Sequence, residues 1–228
     1  MLAKSEAAQS WGQILYDNYG CRASYSRKID RLNRTPLFVE FARRNSGVPS
    51  FETREDMWSF LAAKSAARID YLEFGVHEGH SIFHWAKHNA EPQSRFFGFD
   101  TFTGLPEDWS RSHQRGHFDM QGRIPPTGDS RIQVIKGLFQ DTLPDFINNF
   151  SPGGQLVVHN DSDLYSSTLF CLTKMDSILP PGTIVILDEF GDVLHEFRAF
   201  SDYVSSYNRQ YRVICSHDKF YTIAIEML

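Results

Sequence analysis

The chain has 228 residues, of which 41% are hydrophobic and 22% are charged, values that are ordinary for a soluble globular protein and argue against global disorder. This length fits one large α/β domain and leaves little for a second one. The formal net charge of −5, without a long lysine or arginine run, argues against a nucleic-acid partner, because such proteins neutralise many phosphates.

Cysteine usage and apolar runs indicate the compartment. Cys21, Cys171 and Cys215 are far apart and form no CxxC pair, so neither a zinc knuckle nor a redox motif is predicted and a reduced setting fits best. No apolar run is long enough for a signal peptide or a membrane span. We therefore expect a cytoplasmic protein that has no membrane partner.

Residues 1–68 are predicted to be mainly helical and to form an extension that packs beside the core or acts as a lid over a site. Its clearest helix covers residues 54–67, where Thr53 is the expected N-cap and Asp56 follows three residues later in a box-like position. The extension is also a candidate homodimer interface. Residues 69–228 are predicted to form the domain that carries the main site.

From residue 70 onward, short apolar runs alternate with helical stretches. The runs are YLEFGV, RFFGFD, RIQVIKG, QLVVHND, TIVILDEF, YRVICSH and YTIAIEM. Seven strands in this alternation predict a doubly wound, mostly parallel α/β sheet. The turn between the last two runs, at about residues 218–220, is too short for a crossover, so we expect these strands to form an antiparallel pair at the sheet edge.

A long connection, residues 101–130, is rich in glycine, proline and polar residues. Loops of this length in compact domains are usually functional lids or mobile segments. His113 and His117 lie in the loop, and each either lines a ligand site or is a solvated loop residue.

The glycine turn after the strand at residues 71–74 predicts a site for a nucleoside-type cofactor. Gly75 and Gly79 let the backbone approach a ligand, and the amides at the following helix start offer donors. Asp100 ends the next strand, close to the roughly 20-residue spacing of the acidic residue that binds ribose hydroxyls in dinucleotide folds. Its alternative role is a turn or N-cap residue ahead of Thr101.

Acidic residues in this turn distinguish between nucleoside cofactors. Glu78 places a carboxylate where a dinucleotide would place its pyrophosphate, and His77 replaces a glycine there. A turn that contains Glu73 and Glu78 is compatible with a cationic cofactor. S-adenosylmethionine has no phosphate and carries positive sulfonium and ammonium groups. The turn therefore favours S-adenosylmethionine over a nicotinamide.

Two neighbouring strands of the predicted sheet end in carboxylates, Asp161 and Asp163 after one and Asp188 and Glu189 after the other. Ligands bind at the carboxyl ends of such strands. Converging carboxylates require a compensating cation, so we assign Asp161, Asp188 and Glu189 to Mg²⁺ or another hard divalent ion. Such an ion lowers the pKa of a substrate hydroxyl, with Asp163 as the general base and Asp161 as a second catalytic residue.

Each of these assignments has a structural alternative. Asp163 would instead N-cap the helix that starts near Leu164, and Asp188 with Glu189 would form a solvated acidic turn. His159 lies within a strand that is expected to be buried, and it fits a hydrogen-bonded core histidine better than a metal ligand.

The segments LEFGVHEGHS, FGFDTFTGLPE, IKGLFQDTLP, NDSDLYSST and PPGTIVILDEF occur in this order and resemble the macrocin O-methyltransferase family. These are class I methyltransferases of macrolide and aminocoumarin sugar biosynthesis, and the similarity spans residues 70–205. The resemblance implies a Rossmann-like sheet of order 3-2-1-4-5-7-6 with the last strand antiparallel. It also implies S-adenosylmethionine as the donor and Mg²⁺-dependent transfer to a sugar hydroxyl.

The resemblance implies metal binding by Asp161, Asp188 and Glu189 and a base role for Asp163. The candidate cofactor-binding residues are Glu73, Gly75, Val76, His77, Gly79, Ser81, Asp100, Thr101 and, near the adenine, Phe139. The chain departs from the family at two points. Its acidic pair is Asp-Glu where Asp-Asp is usual, and Asn160 stands where an apolar strand residue is common.

Three functions are therefore weighed. The first is an S-adenosylmethionine-dependent O-methyltransferase acting on a small-molecule acceptor, a hydroxyl of a sugar or glycosylated natural product. The second is a nicotinamide-dependent oxidoreductase or epimerase of nucleotide sugars, against which the absence of a Tyr-x-x-x-Lys pair after the fourth strand argues. The third is a non-catalytic binding protein, against which the retained carboxylates argue.

Overall fold

The computed structural model describes residues 22–228, so the first part of the predicted helical extension, with Cys21, lies outside the described residues. Helix α1 covers Arg22–Arg44, and the two-residue strand β1 covers Ser50–Phe51. Helix α2 covers Arg54–Lys64 and ends three residues before the predicted end.

The N-cap predicted for helix α2 is confirmed. The Thr53 Oγ1 accepts a hydrogen bond from the Asp56 amide at 3.1 Å. The Thr53 hydroxyl in turn donates to the Asp56 carboxylate at 2.8 Å. The first turn of α2 is therefore fixed by its own local sequence.

Within the described residues, strands and helices then follow in the alternation that the sequence predicts. They are β2 Ile69–Phe74, α3 His80–His88, β3 Arg95–Asp100, β4 Ile132–Lys136, α4 Phe139–Asn149, β5 Gln155–Asn160, α5 Tyr165–Met175 with a 3₁₀ turn at Asp176–Ile178, β6 Ile184–Leu187, α6 Glu196–Ser206, β7 Tyr211–His217 and β8 Thr222–Met227.

The strands form one eight-stranded sheet in the order β1-β7-β8-β6-β5-β2-β3-β4. All neighbours are parallel except β8, which runs antiparallel to both β6 and β7. Counted from β2, this confirms the predicted Rossmann-like fold and the order 3-2-1-4-5-7-6. The predicted number of seven strands is corrected by β1, which pairs with Ser216 and His217 and covers the edge at β7. Strand β1 was not predicted because a strand of two residues is too short to show an alternating pattern.

The core lies on both faces of the sheet. Strand β2 is buried along its whole length, with Leu72 and Phe74 packing on one face and Ile69 and Tyr71 on the other. Helices α2 and α3 cover the Tyr71 face, and helices α4, α5 and α6 cover the Phe74 face. A strand buried on both faces is a continuous apolar run, as is typical of parallel sheets.

The cysteines and the helices also bear on the sequence predictions. Cys171 and Cys215 are buried, unpaired thiols, and burial raises the pKa of both. Buried thiols of raised pKa are structural and unreactive. Within residues 22–228, no helix is both long and apolar enough to cross a membrane.

Candidate functional site

The glycine turn and both acidic segments begin side by side at the carboxyl edge of the sheet. Just beyond β2, β5 and β6, the amides of Gly75, Asp161 and Asp188 each donate to a carbonyl of the neighbouring strand, at 2.9, 2.9 and 3.0 Å. The sheet ladder thus continues for one residue past each strand. This is the edge at which doubly wound sheets bind ligands.

Glycine is required at position 75 because two backbone segments meet there. Gly75 has φ +95°, and a Cβ at this position would lie 1.8 Å from the carbonyl oxygen of Asp161. Gly79, at the N-cap of α3, also has a positive φ, and its Cβ would meet the Phe83 ring at 2.5 Å. The turn therefore depends on its two glycines for conformation and for close packing.

Asp100 organises the turn through its carboxylate. Its Oδ2 accepts hydrogen bonds from the amides of Val76 and His77, both at 2.8 Å, and its Oδ1 accepts one from the Phe102 amide at 2.7 Å. The alternative role as a turn residue is thus present in the structure. An ionised carboxylate has about four acceptor positions, so capacity for a ribose hydroxyl remains.

A cavity of about 500 Å³ lies over this edge, within the range of small-molecule sites. The predicted cofactor residues on its wall are Gly75, His77, Asp100, Thr101 and Phe139. The predicted residues that are buried and not on its wall are Glu73, Val76, Gly79 and Ser81. The first group offers direct contacts to a ligand, and the second group supports the turn.

The long loop forms one wall of the cavity. Trp109 Nε1 donates to Asp192 Oδ2 at 3.1 Å, and the Ser166 hydroxyl donates to Glu107 Oε1 at 2.5 Å, so the loop is tied to the segments after β6 and β5. His113 lies on the cavity wall together with Trp109, whereas the exposed His117 does not.

Asp161 is shared by two groups of candidate metal ligands. With His159 and Asp188 it forms one triplet, and with Asp163 and Glu189 it forms another; within each triplet the ligand atoms lie within 4.8 Å of one another. The predicted set of Asp161, Asp188 and Glu189 is therefore divided between the two triplets. The second triplet also contains the predicted base.

His159 is a hydrogen-bonded core histidine, as expected, and it also reaches the acidic cluster. It is fully buried, with Nδ1 2.7 Å from the Tyr71 hydroxyl and Nε2 3.3 Å from Asp188 Oδ1. The same hydroxyl lies 2.5 Å from Glu73 Oε2. A buried relay therefore connects the strand before the glycine turn to the acidic pair.

Burial and mutual repulsion perturb the carboxyl groups. Burial, followed by the charge of Asp188, raises the pKa of Asp161 well above its usual range and raises that of Asp163 to about 7. Burial, followed by the charge of Asp161, raises the pKa of Glu189 in the same way. Burial also opposes ionisation of Asp188, but hydrogen bonds and charge from His159 and Arg54 lower its pKa below the usual value.

Both structural alternatives for the acidic residues are wrong. The N-cap of α5 is Leu164, without a side-chain cap, and Asp163 precedes it in the left-handed region with φ +60°. Asp163 is 8% exposed and lies on the cavity wall. Asp188 and Glu189 are also buried, so they do not form a solvated turn. A non-glycine residue held at positive φ in a cavity is typical of functional sites.

Two charged residues that contact the acidic pair, Glu196 and Arg54, were not predicted. Glu196 is fully buried, and it accepts hydrogen bonds from the Glu189 amide at 2.9 Å and from Asn160 Nδ2 at 2.7 Å. Arg54 lies on the cavity wall and donates from Nη1 to Asp188 Oδ2. Neither residue belongs to a spaced motif, because both reach the site through the tertiary fold.

Comparison with known proteins places the chain in a family. A family model described as a methyltransferase domain matches residues 72–190, just over half of the chain. The chain belongs to this methyltransferase family. The matched region runs from within β2 past the acidic pair, so it contains the glycine turn, Asp100 and the carboxylates at positions 161, 163, 188 and 189.

The methyltransferase also resembles individual proteins. It is 30% identical over 159 residues to the 8-demethyl-8-(2,3-dimethoxy-alpha-L-rhamnosyl)-tetracenomycin-C 4'-O-methyltransferase of Streptomyces olivaceus. This match covers 57% of the chain and 58% of the relative, which is less than two thirds of the relative's length.

Solved structures show the same fold. CalS11, a calicheamicin methyltransferase, is 19% identical with a TM-score of 0.60, over 99% of this chain and 93% of CalS11. The Mg-SAM form of cmcI is 15% identical with a TM-score of 0.53, over 78% of this chain and 72% of cmcI. At these identities the likeness concerns the fold alone.

The first prediction tests the close approach at Gly75. Gly75→Ala should lower the free energy of unfolding by about 2 kcal/mol more than Gly128→Ala, as measured by urea denaturation. Both glycines have positive φ, but a Cβ at Gly128 meets nothing within 4 Å, whereas one at Gly75 meets the Asp161 carbonyl. Equal losses of unfolding free energy in the two variants would show that contact of the new Cβ with the Asp161 carbonyl does not destabilise the fold.

The second prediction concerns Glu73. Burial raises its pKa to about 7, whereas the unfolded chain has an ordinary glutamate near 4.3. Between these values the folded state holds a proton that the unfolded state has lost, so Glu73 makes the protein less stable as the pH rises. Relative to the wild type, the free energy of unfolding of Glu73→Gln should therefore increase by on the order of 2 kcal/mol between about pH 5 and pH 8, as measured by urea denaturation.

Glu78→Gln is the matched control for this measurement, because it removes an exposed carboxylate from the same turn. Its stability relative to the wild type should be the same at both pH values. A Glu73→Gln difference that also does not change with pH would contradict the expected protonation of Glu73.

Proposed function

We propose that this chain is an S-adenosylmethionine-dependent O-methyltransferase of the macrocin type, acting on a hydroxyl of a sugar or glycosylated natural product with the help of Mg²⁺ or another hard divalent cation. The proposal rests on one observation. The glycine turn and Asp100 line the same cavity as the carboxylates of Asp161, Asp163 and Glu189. The first group suits a nucleoside donor, and the second suits activation of a hydroxyl.

Similarity to known proteins supports the acceptor class. The curated relative is named for methylation of the 4' oxygen of a rhamnosyl-tetracenomycin, and CalS11 is named as a calicheamicin methyltransferase. In its apo form, CalS11 is also named as a TDP-rhamnose 3'-O-methyltransferase. The acceptor proposed for this chain is accordingly a deoxysugar hydroxyl, on a glycosylated natural product or on a nucleotide sugar. The form of cmcI that carries Mg and SAM supports the same pair of cofactors.

On the donor side, Asp100 would bind the ribose hydroxyls through the acceptor capacity that remains beside its three backbone amides. Phe139, on the cavity wall at the start of α4, would pack against the adenine. The donor supplies an electrophilic methyl group on sulfur. The acidic turn, with its exposed Glu78, favours this cationic donor over a nicotinamide dinucleotide.

The acidic residues fit a hard divalent cation. Glu189 Oε2 is buried without a hydrogen-bond partner, although buried carboxylate oxygens are normally satisfied. Asp161, Asp188 and Glu189 would hold the ion, and their all-oxygen chemistry suits Mg²⁺. A bound ion would neutralise the carboxylates and lower the pKa of the acceptor hydroxyl.

Asp163 is the proposed general base. Its carboxyl group lies on the cavity wall, and a pKa of about 7 is well matched to proton transfer near neutral pH. Asp163 takes the hydroxyl proton while the acceptor oxygen forms a bond to the methyl carbon and the carbon–sulfur bond breaks. The walls of the cavity contribute by holding the two reactants in line.

The donor assignment is tested by calorimetric titration with S-adenosylhomocysteine. We expect saturable binding at ligand concentrations no higher than hundreds of micromolar. A parallel titration with NADH should show no binding. A folded protein that binds NADH and not S-adenosylhomocysteine would overturn the proposal in favour of the oxidoreductase.

The carboxylate roles are separated by two variants. Asp161→Asn should lose both Mn²⁺ affinity and turnover, because both ligand triplets contain Asp161. Asp163→Asn should lose turnover by about 10²-fold or more, because the base is gone. It should keep Mn²⁺ binding through the proposed ligands Asp161, Asp188 and Glu189, and loss of Mn²⁺ binding would instead assign the ion to the triplet that contains Asp163. Both variants should keep S-adenosylhomocysteine binding, measured by calorimetry, and turnover is measured as methyl transfer to a rhamnosylated aromatic polyketide.

Asp145→Asn, at an exposed position on α4, is the control for these measurements and should match the wild type in all three assays. Full turnover of the wild type in excess EDTA would exclude the metal from the reaction. Full turnover of Asp163→Asn would exclude Asp163 as the base.

A further inference from the structure

A basic residue lies where the start of helix α2 meets the acidic cluster of Asp161, Asp163, Asp188 and Glu189. Arg54 is the first residue of α2, and its Nη1 donates to Asp188 Oδ2. Among the described residues on the cavity wall, it is the only lysine or arginine. Burial disfavours its charge, but the charges of Asp188, Asp161 and Glu189 raise the pKa of Arg54 above its ordinary value. Arg54 is therefore a cation at the edge of the carboxylate group, paired with the buried Asp188 while its own side chain is 42% exposed.

Asp188 is engaged on both of its oxygens. Oδ2 accepts from Arg54, and Oδ1 lies 3.3 Å from His159 Nε2, while the side chain is 1% exposed. A divalent cation bound at these carboxylates would share the buried Asp188 carboxylate with the guanidinium, which is itself 42% exposed. Like charges that share one carboxylate repel each other, and the buried position of Asp188 reduces the screening between them. Binding of the ion and the Arg54–Asp188 pair are therefore antagonistic.

Arg54 also contacts an aromatic ring. Its guanidinium carbon lies 5.8 Å from the centre of the Trp58 ring, one turn further along α2. Trp58 is buried against His159, with ring centroids 5.5 Å apart, so this aromatic surface is fixed in position. In the conformation that pairs with Asp188, Arg54 therefore also has a cation–π contact that does not involve a carboxylate.

We propose that Arg54 is an internal counter-cation that competes with the divalent metal for Asp188 and thereby lowers the metal affinity of the site. This inference rests on the proposed metal-assisted function. It makes Arg54 a positioning residue carried by α2, outside the matched methyltransferase region. Release of Arg54 from Asp188 accompanies metal binding.

The test is calorimetric titration of the full chain with Mn²⁺ after treatment with a chelator. Arg54→Met should bind Mn²⁺ about tenfold more tightly than the wild type or better, because the competing charge is gone. A purely structural role for Arg54 predicts the opposite, since loss of a residue that orders the site weakens binding. Unchanged or weaker Mn²⁺ binding in a folded Arg54→Met overturns the proposal.

Arg212→Met is the matched control, because it removes one ion-paired arginine from β7, where Arg212 pairs with Glu226. Its Mn²⁺ affinity should stay within about twofold of the wild type. An equal gain of Mn²⁺ affinity in both variants would mean that the change in net charge alone causes the effect, and it would overturn the specific role of Arg54. Arg54→Gln is expected to behave as Arg54→Met and replaces it in the test if Arg54→Met does not fold.

S-adenosylhomocysteine titration of the same variants separates this inference from the proposed function. Normal cofactor binding with no change in Mn²⁺ affinity contradicts only the role of Arg54. No Mn²⁺ binding by either the wild type or Arg54→Met contradicts both that role and the metal. Loss of S-adenosylhomocysteine binding in the wild type contradicts the methyltransferase function itself.

Discussion

Burial of several carboxyl groups at one edge of the sheet is the constraint on which the site depends. Asp163, Asp188, Glu189 and Glu196 are all less than a tenth exposed, and ionising them together in a low dielectric would be very unfavourable. Protons, a divalent ion or an arginine can each compensate the charge. The raised pKa values of Asp163 and Glu189 correspond to compensation by protons. The ligand triplets fit compensation by a divalent ion, and Arg54 beside Asp188 supplies the arginine. If the chain binds the proposed metal, these three forms of compensation exclude one another in part, so proton, metal and arginine binding would be thermodynamically linked.

Asp161 joins the two halves of the site. Its backbone carbonyl lies where a side chain at position 75 would project, so the glycine turn can approach β5 only if residue 75 has no Cβ. Its carboxylate belongs to both ligand triplets. One residue thus takes part in the close contact with the glycine turn and in the group of carboxylates. In the proposed function, a shift of this segment would disturb donor binding and hydroxyl activation together.

The fold was predictable because its signals are local. Seven apolar runs with helical stretches between them define the parallel sheet, and the short turn before β8 defines the antiparallel strand. The glycine turn and the acidic segments were predictable because each directly follows a strand. Arg54 was not predictable, since it lies 134 residues from Asp188 and its sequence signal is only that of a helix start. The contact between His159 and Asp188 likewise depends on the side of the sheet that each side chain faces. The roles of the cofactor and metal residues stay predictions.

The sequence departs from the macrocin family that it resembles at Asn160 and at the Asp188-Glu189 pair. Both positions belong to one buried network. Asn160 donates through Nδ2 to Glu196 Oε1 at 2.7 Å, and Glu196 Oε2 accepts the amide of Glu189 at 2.9 Å. The polar residue in β5 therefore has a partner that also fixes the backbone of the unusual acidic pair. Because a buried amide without partners would be costly, Asn160 and Glu196 are best understood as a unit. With its backbone held in this way, the longer Glu189 side chain brings one carboxylate oxygen within 4.8 Å of ligand atoms of Asp161 and Asp163.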